Sequence, residues 1–305
     1  MKIGILTSTI SEEDFFPNIK DLKQKIELRG VEVDLFKNGE FNLMISKLGS
    51  EIFLNGEPFF PKDYDLVFNR FSVKDKTNAD YYIMEEFISS GVNFFNTPLS
   101  ISKARNKLLT LQILGKMGVD ITKSFVIRRN SDLDNVNRYF TYPLIVKNIF
   151  GSLGSSTLIV YDFKQLKAIY DYIWNVNRNE VLMIQEFIKT EDNSVSDYRV
   201  FVAGGDIISS MKRTNHTDDF RSNYKRGADV EFFDISENEK RICIEIANRF
   251  GLKIAGIDFM RSHRGPVVLE VNSNPGLEGI RRASIKGGFD ILDRLADYLI
   301  SEIKS

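Results

Sequence analysis

Residues 255–280 read AGIDFMRSHRGPVVLEVNSNPGLEGI and place acidic and amide side chains inside two apolar runs. The two runs, IAGIDFM and PVVLEVN, flank a short polar segment, which is typical of a β-hairpin. A hairpin centred near residue 264 pairs Asp258 with Glu270. It also puts Asn272 on the same face, because side chains alternate along a strand. Burial of these charges requires a partner or a metal ion.

A cation would explain two opposed carboxylates at this position. Directly opposed like charges repel unless a positive charge lies between them. Oxygen ligands that leave positions open for phosphate oxygens are what Mg²⁺ prefers. We therefore predict that Asp258, Glu270 and Asn272 bind magnesium. The alternative is that these residues form the polar outer face of a hairpin. The apolar residues that flank them, and the end of the run at Pro275-Gly276, argue against it.

The overall composition is that of a globular protein. The chain has 305 residues, 43% of them hydrophobic, and a net charge of −1, which favours two or three domains and argues against a protein that coats nucleic acid. One cysteine, Cys243, excludes an internal disulfide, and with only His216 and His263 a Cys/His zinc site is not expected. We see neither a signal peptide nor a membrane span, and expect a cytoplasmic protein without direct nucleic-acid contacts.

The pattern of strands and helices divides the chain. Alternating strands and helical segments predict an α/β domain with a mostly parallel sheet over residues 1–97. A helix is predicted over 102–118, and paired strands follow it: YPLIVKN with STLIVYD, then DYRVFV with DIISSMKR. A helix from Ser236 opens with a capping box. We predict antiparallel, α+β segments over 98–187 and 188–305.

A glycine-rich loop, KNIFGSLGSS at 147–156, joins two strands rather than a strand and a helix. It therefore differs from a dinucleotide-binding or P-loop fingerprint. We interpret it as a lid whose backbone N–H groups fold over phosphates, the alternative being a simple hairpin turn. Lys147 shares a face with Ile145 and Ile149, and Lys107 lies on the preceding helix. Both lysines are predicted to contact phosphate rather than only solvent.

Two further stretches carry candidate binding residues. In LMIQEFIK (182–189), Gln185-Glu186 interrupt an apolar run where exposed backbone groups could read an adenine edge; the alternative is an ordinary edge strand. In DDFRSNYKRG (218–227), Arg221 could hold a phosphoryl group in transfer, and Lys225 and Arg226 an acceptor carboxylate. The alternative for this second stretch is a solvated charge run.

Arg70 follows the apolar run DLVF and should lie at the carboxyl end of a strand. Ligands of open α/β sheets gather outside those ends. An arginine can bind a carboxylate through two parallel hydrogen bonds, so we predict that Arg70 recognises an acidic acceptor. The alternative is a structural ion pair between domains.

Together these features resemble the ATP-grasp superfamily. The stretches ARNKLLTLQIL, DFRSNYKRG and the opening one are similar to the RimK-type branch, α-L-glutamate ligases acting on peptide or coenzyme carboxylates. The resemblance implies a pre-ATP-grasp α/β domain with a mostly parallel sheet, followed by an α+β ATP-grasp domain with antiparallel sheets. It also implies ATP and two Mg²⁺ or Mn²⁺ ions per site.

The resemblance assigns roles to individual residues. Metal binding falls on Asp258, Glu270 and Asn272, and catalysis on Lys147 and Arg221. ATP binding falls on Lys107, Lys147, Gln185, Glu186, Phe187, Ile188, Asp197, Arg221, Ser222 and Asn223. Ser156 departs from the third glycine usual in the family's lid, which implies a stiffer lid.

The implied reaction joins a carboxylate to an amine. ATP phosphorylates an acceptor carboxylate, and the amino group of L-glutamate attacks the acyl phosphate. The acceptor is a carboxylate on a protein, peptide or coenzyme. Alternatives are another amino acid or a small-molecule acceptor, as in lysine-biosynthesis-type ligases, or a nucleotide sensor without catalysis. The oligomeric state is left open, with a homo-oligomer among the alternatives.

Overall fold

The computed structural model describes residues 1–7, 16–37, 39–71, 79–148, 157–176, 181–190, 195–216 and 228–304. The stretch DDFRSNYKRG (218–227) therefore lies outside the described residues, as does all of KNIFGSLGSS (147–156) after Asn148. Among the described residues, no helix has an apolar stretch long enough to cross a membrane.

A parallel sheet forms the first part of the chain, as predicted. Its strand order is β2-β1-β6-β7, and each neighbouring pair is parallel. The elements here are β1 (Lys2–Thr7), α1 (Pro17–Glu27), β2 (Glu32–Lys37), β3 (Phe41–Ser46), β4 (Gly49–Leu54), β5 (Glu57–Phe59), β6 (Leu66–Arg70), α2 (Ala79–Ser89) and β7 (Asn93–Phe95).

The antiparallel sheet β3-β4-β5 was not predicted. It packs Phe41 and Ile52 into the same apolar cluster as Phe87 of α2. The turn between β4 and β5 is Asn55-Gly56, and both residues have positive φ, at 52° and 89°. Asn-Gly at positive φ is the strongest local signal of a two-residue hairpin, so this part of the sheet was readable from sequence.

A second, antiparallel sheet has the order β10-β9-β11-β8. One face packs on two helices through Leu144, Val146 and Ile184, which leaves Ile145 and Lys147 on the opposite face. The elements are α3 (Pro98–Arg105), α4 (Lys107–Lys116), β8 (Ser124–Ile127), α5 (Leu133–Tyr139), β9 (Leu144–Asn148), β10 (Thr157–Val160), α6 (Phe163–Val176) and β11 (Leu182–Glu186).

The single helix predicted over 102–118 is wrong, because the chain forms α3 and α4 with a break at Asn106. Asn106 has an extended backbone, with φ −83° and ψ 102°, and its side chain accepts a hydrogen bond from the N–H of Leu109. Asparagine is a preferred N-cap because its side chain satisfies such an orphan donor. Lys107 is consequently the first residue of α4.

The third sheet is also antiparallel, with the order β14-β13-β12-β15-β16. Helix α7 begins with the predicted Ser236–Glu239 capping box and ends at Gly251, whose φ of 70° is left-handed. The elements are β12 (Val195–Ala203), β13 (Asp206–Asn215), β14 (Asp229–Phe232), α7 (Glu237–Phe250), β15 (Ile254–Ser262), β16 (Gly265–Asn272), α8 (Leu277–Lys286) and α9 (Ile291–Lys304).

One apolar core joins the parallel sheet to the last helices. Ile3, Ile5 and Leu66 lie in the same buried cluster as Leu292 and Leu299 of α9. The parallel sheet lies within residues 1–97, the second sheet within 98–187 and the third within 188–305. We therefore propose those three segments as the domains of the chain.

Asn96 ties the end of β16 to the parallel sheet. Its side chain is 1% exposed. The amide Nδ2 donates to the carbonyl oxygens of Ile254, at 2.6 Å, and Ser273, at 2.8 Å, and Oδ1 accepts from the N–H of Ile254 at 3.1 Å. Because Ser273 directly follows Asn272, this amide holds the hairpin end that carries the predicted metal ligands.

We expect Asn96→Ala to destabilise the protein strongly. The change leaves three buried backbone groups without their partner, and each such group costs about 1–3 kcal/mol, so the free energy of unfolding should fall by about 3 kcal/mol or more. Asn93→Ala is the matched control, since its side chain donates one half-buried bond, to the carbonyl of Glu302 at 3.1 Å. It should lower the free energy by about 1 kcal/mol. Equal losses in urea unfolding would contradict the linking role of Asn96.

Candidate active site

The β15–β16 hairpin brings the predicted metal ligands together. Asp258 lies directly opposite Glu270, as predicted, and Gly256 lies opposite Asn272. Since Glu270 and Asn272 are two residues apart on one strand, their side chains point to the same face as Asp258. The hairpin therefore presents two carboxylates and one amide on a single face.

The hairpin reaches this pairing by a route that the sequence analysis did not predict. Ser262 pairs with Gly265, so the turn is centred between residues 263 and 264 rather than at 264. Phe259 pairs with Val268, and the register then shifts by one residue, which leaves Leu269 without an opposing residue. This β-bulge adds the residue that restores the predicted register at the site.

Two arginines hold the carboxylate of Asp258. Asp258 is 4% exposed. Arg199 donates to it through Nε and Nη2, at 2.6 and 2.7 Å, and Arg213 donates through Nη2 at 3.0 Å. Burial alone would raise the pKa of Asp258, but the two guanidinium groups outweigh burial and lower it. Asp258 is therefore a fixed anion.

Arg213 extends this arrangement to Asp197. Arg213 is 3% exposed and donates to both carboxylate oxygens of Asp197, at 2.6 Å each. Asp197 was predicted to contact ATP, and in this structure its two oxygens are engaged by Arg213. A row of alternating charges thus runs from Asp197 through Arg213 and Asp258 to Arg199.

Sequence analysis missed Arg199 and Arg213. A signal existed, because Arg199 stands two residues after Asp197 and so shares its face. Arg213 pairs with Asp197 only after a register shift between Phe201 and Val202. That bulge could not be derived from the pattern of apolar residues.

Glu270 and Asn272 differ from Asp258 in having side-chain oxygen atoms that accept no hydrogen bond from a described residue. Among the described residues, no donor lies within hydrogen-bond distance of the Glu270 carboxylate. Asn272 donates weakly through Nδ2 to Asp258 at 3.4 Å, and its carbonyl oxygen accepts no hydrogen bond from a described residue. Both residues are half-buried. They can therefore offer oxygen atoms to a ligand without breaking an existing contact.

Lys147 faces this hairpin from the second sheet. It is half-buried, and no carboxylate lies within salt-bridge distance of its Nζ among the described residues. Burial lowers the pKa of Lys147 to about 8; the charge of Glu270 opposes this shift and that of Lys107 adds to it. A cation that is surrounded by protein and lacks a contacting anion is suited to bind one.

The break at Asn106 brings two more cations to the same place. Burial lowers the pKa of Lys107 and of Arg105, and the charge of Glu270 opposes the shift in both. The field of Glu270 thus reaches three basic side chains, from α3, α4 and β9. This convergence of positive charge is suited to a polyphosphate.

In the stretch predicted to read an adenine edge, residues 182–189, the side chains of Gln185 and Glu186 are engaged by protein groups. Gln185 is 3% exposed, and its Nε2 donates to the hydroxyl groups of Thr122 and Ser124, at 2.6 and 2.8 Å. Phe187 and Ile188 follow β11 directly and are half-buried. The Gln185 amide nitrogen is therefore occupied by protein partners, which leaves backbone groups and the side chains of Phe187 and Ile188 for contact with a base.

Glu186 bridges two parts of the chain. Its carboxylate accepts from the N–H of Lys123 at 2.8 Å and from Arg264, at the tip of the β15–β16 hairpin, at 2.8 Å. Asp120 lies 3.4 Å from the same arginine. The predicted ATP residue Glu186 therefore connects the second sheet to the hairpin.

Arg70 ends β6 and is 8% exposed. Its Nη2 donates to the carbonyl of Pro275 at 2.9 Å, and its own carbonyl accepts from Asn274 Nδ2 at 2.6 Å. The alternative was an ion pair between domains, but among the described residues no carboxylate lies within salt-bridge distance of the Arg70 guanidinium. The contact between domains is instead made through backbone carbonyls.

Five of the predicted site residues lie outside the described residues: Arg221, Ser222, Asn223, Lys225 and Arg226. The same holds for Ile149 and Ser156 in the glycine-rich loop. Their roles stay predictions.

The donor set of the hairpin fits a hard divalent cation. The described part of the chain holds no cluster of three His, Cys, Asp or Glu side chains, so a metal here would depend on Asp258, Glu270 and the amide of Asn272. All three offer oxygen, which Mg²⁺ prefers, and three ligands leave positions for phosphate oxygens.

Comparisons with known proteins identify the family. The RimK-like ATP-grasp domain matches residues 104–299. A relative from Trichodesmium erythraeum (strain IMS101), named "probable alpha-L-glutamate ligase", is 31% identical over 300 residues, which cover 98% of this chain and 96% of the relative.

Solved structures show the same fold. The ATP-grasp ligase PsnB complexed with a minimal precursor superposes with a TM-score of 0.74 and 22% identity, over 98% of each chain. A second PsnB structure, with minimal precursor, Mg and ADP, has a TM-score of 0.72 and 20% identity, over 99% of this chain and 98% of that one. The chain belongs to the RimK-like ATP-grasp family and is a ligase that forms carbon–nitrogen bonds.

Proposed function

We propose that this ligase uses ATP to add L-glutamate to a carboxylate on a protein, peptide or coenzyme acceptor, through an acyl phosphate. The observation that carries the proposal is that Lys147 lies within the field of Glu270, on the hairpin face that also presents Asp258 and Asn272. Lys147 is a cation without a contacting carboxylate among the described residues. The name of the relative, an alpha-L-glutamate ligase, supports glutamate as the amine. The need for ATP favours a cytoplasmic enzyme.

The proposal includes divalent ions because the oxygen ligands of the hairpin fit such ions. Asp258, Glu270 and Asn272 would hold two Mg²⁺ or Mn²⁺ ions, and a PsnB structure contains Mg and ADP. When bound, such ions neutralise the charge that spreads over a transferring phosphoryl group. The guanidinium groups of Arg199 and Arg213 keep Asp258 ionised and oriented, so that one ligand is fixed before any ion arrives.

The basic side chains supply the remaining neutralisation. Lys107 and Lys147 would bind phosphate oxygens of ATP, and Arg221, with Ser222 and Asn223, would hold the phosphoryl group in transfer. Lys225 and Arg226 would bind the acceptor carboxylate. Phosphoryl transfer depends on such positioning and electrostatic stabilisation more than on covalent participation of the protein.

The reaction needs no covalent enzyme intermediate. The acceptor carboxylate attacks the γ-phosphorus and releases ADP; the amine then attacks the acyl carbon and releases phosphate. Cys243, a potential nucleophile, is 1% exposed, and burial raises the pKa of its thiol. It is therefore unsuited to attack a substrate.

Mass spectrometry tests the proposed reaction. A cell extract incubated with the protein, ATP and labelled L-glutamate should yield an ATP-dependent product that carries the label on an acceptor, together with ADP. The same incubation with labelled lysine or alanine is the control for the amino acid. ATP binding without label transfer in any extract would favour a nucleotide sensor.

We expect Glu270→Gln to abolish most turnover while the fold stays intact. Removing one metal-binding carboxylate forfeits several kcal/mol of charge stabilisation, which corresponds to a loss of about 10²-fold or more in kcat. The variant should also lose the Mg²⁺ dependence of ADP affinity in calorimetry. Glu245→Gln, on the exposed face of α7, is the control. Near-normal turnover in Glu270→Gln would show that the metal assignment is wrong.

Lys147→Met should weaken ADP binding. A charge-assisted hydrogen bond to phosphate contributes about 1.5–3 kcal/mol, which corresponds to roughly 10- to 100-fold in dissociation constant. Lys116→Met, an exposed position on α4, should leave the affinity unchanged. If calorimetry finds equal affinities for Lys147→Met and wild type, the ammonium group only reaches solvent.

The lowered pKa of Lys147 predicts a pH effect on ADP binding. Between about pH 8 and the ordinary lysine pKa of 10.5, the ligand-free site holds a largely neutral Lys147. Phosphate favours the charged form, so binding must take up a proton, and affinity falls as the pH rises above 8. Titrations at pH 8.5 with EDTA, in buffers of different ionisation enthalpy, measure this uptake. Lys147→Arg stays charged and should take up fewer protons than wild type, the remainder coming from Lys107, whose pKa burial also lowers; equal uptake in that variant would refute the assignment.

A further inference from the structure

Arg70 is a buried cation that the mechanism above does not use. It lies at the carboxyl end of β6, where ligands of open α/β sheets gather. Its guanidinium donates to the carbonyl of Pro275 at 2.9 Å, and no carboxylate pairs with it among the described residues. Burial lowers the pKa of Arg70 to about 10. A buried charge without a counter-ion is unfavourable unless it serves a ligand.

An unused hydrogen-bond acceptor belongs to Asn274, the residue before the Pro275 carbonyl that this guanidinium contacts. Asn274 donates through Nδ2 to the carbonyl of Arg70 at 2.6 Å, which places the two residues in contact. The other amide atom of Asn274, Oδ1, is buried and accepts no hydrogen bond from a described residue. Buried polar atoms are nearly always satisfied, so an exception indicates a function. Oδ1 can accept from an N–H of a ligand.

The N-terminus of α8 opens at the same place. Its N-cap is Gly276, which follows Pro275 and makes no side-chain capping bond. The φ of Gly276, −63°, does not require glycine, and a Cβ added there would meet no atom within 4 Å. Glycine thus leaves space in front of the first turn, where N–H groups and the positive end of the helix dipole attract anions.

We propose that Arg70, Asn274 and the first turn of α8 form a subsite for a carboxylate that carries a nitrogen donor on the neighbouring carbon. Arg70 and the α8 N-terminus would bind the carboxylate, and Asn274 Oδ1 would accept from the nitrogen. The inference rests on the proposed function, because it concerns a substrate of that reaction. Two substrates share this chemistry: the incoming amino acid and the end of a peptide acceptor.

The chemistry of the reaction favours the incoming amino acid. The reacting carboxylate of the acceptor becomes an acyl phosphate and so does not keep its own charge. The α-carboxylate of the incoming amino acid stays ionised from binding to product release. A buried guanidinium is best matched to the anion that persists. Asn274 is also only two residues from Asn272, the last of the predicted metal ligands.

Calorimetry on protein saturated with Mg²⁺ and ADP tests the subsite. The probes are L-glutamate for the amino acid, N-acetyl-L-glutamyl-L-glutamate for a chain end, and glutarate, which has carboxylates without nitrogen. Wild type should bind one of the first two at least tenfold more tightly than glutarate, and we expect L-glutamate. Preference for the dipeptide would assign the same subsite to the acceptor.

Variants separate the parts of the subsite. Arg70→Met should weaken the preferred probe at least tenfold. It loses the hydrogen bond to the Pro275 carbonyl but also removes a buried cation without a counter-ion, so the two effects offset and the melting temperature should change little. Arg70→Lys keeps the charge and should recover part of the affinity. Asn274→Ala should abolish the preference over glutarate, and Gly276→Val should weaken all three probes by filling the open space. Arg282→Met, an exposed charge change on α8, is the control.

Two results would overturn the subsite. One is that the wild-type protein binds neither L-glutamate nor the dipeptide. The other is that Arg70→Met binds the probes with unchanged affinity while its melting temperature falls by several degrees. The latter would make Arg70 a structural link to Pro275. ADP affinity is measured on the same samples, so intact ADP binding with no probe binding counts against this inference alone. If the wild-type protein does not bind ADP at all, the result counts against the proposed function.

Discussion

The compensation of buried carboxylates on the β15–β16 hairpin is the constraint on which the site depends. Asp258 and Glu270 stand directly opposite each other, and like charges so placed repel. The two are treated differently by the fold. Asp258 is neutralised by Arg199 from the neighbouring strand β12 and by Arg213 from β13, one strand further away, whereas Glu270 has no contacting donor among the described residues. The carboxylate of Asp258 is therefore fixed by the protein before any ligand binds, whereas that of Glu270 is engaged by no described residue.

This division of roles explains how three parts of the chain come together. The second sheet and the helices before it direct Lys147, Lys107 and Arg105 toward the field of Glu270. The parallel sheet holds the end of the hairpin through Asn96, whose amide satisfies the backbone of Ser273. Asp258 and the end of the hairpin are thus held by protein contacts, and ordering before binding lowers the entropic penalty of assembling a charged ligand site.

Much of this could be predicted from sequence because it follows from short periodicities. Alternation and a hairpin centre near residue 264 sufficed to pair Asp258 with Glu270, and the position of Arg70 at a strand end followed from the run DLVF. The prediction of that pairing nevertheless rested on a turn half a residue away from the real one. The bulge at Leu269 compensated for the difference, and a bulge leaves no reliable mark in the apolar pattern.

What could not be predicted depends on contacts between distant strands. Arg199 lies opposite Asp258 in the β12–β15 pairing, and Arg213 reaches the same carboxylate through a β12–β13 register that a second bulge sets, so alternation identifies their faces but not their partner. The break between α3 and α4 depends on Asn106 preferring to cap a helix rather than to continue one, although the apolar periodicity runs through it. In the second case a local hydrogen bond overrides the periodic signal.

The central claim is that Lys147 and the hairpin face carrying Glu270 serve one nucleotide and its metal. A double-mutant cycle on the affinity for ADP with Mg²⁺, using Lys147→Met, Glu270→Gln and the double variant, tests this most directly. If both residues bind one ligand, the losses should be non-additive by about 1 kcal/mol or more, the size found for groups that share a partner. Losses that add to within about 0.3–0.5 kcal/mol, as for distant independent sites, would contradict a common site.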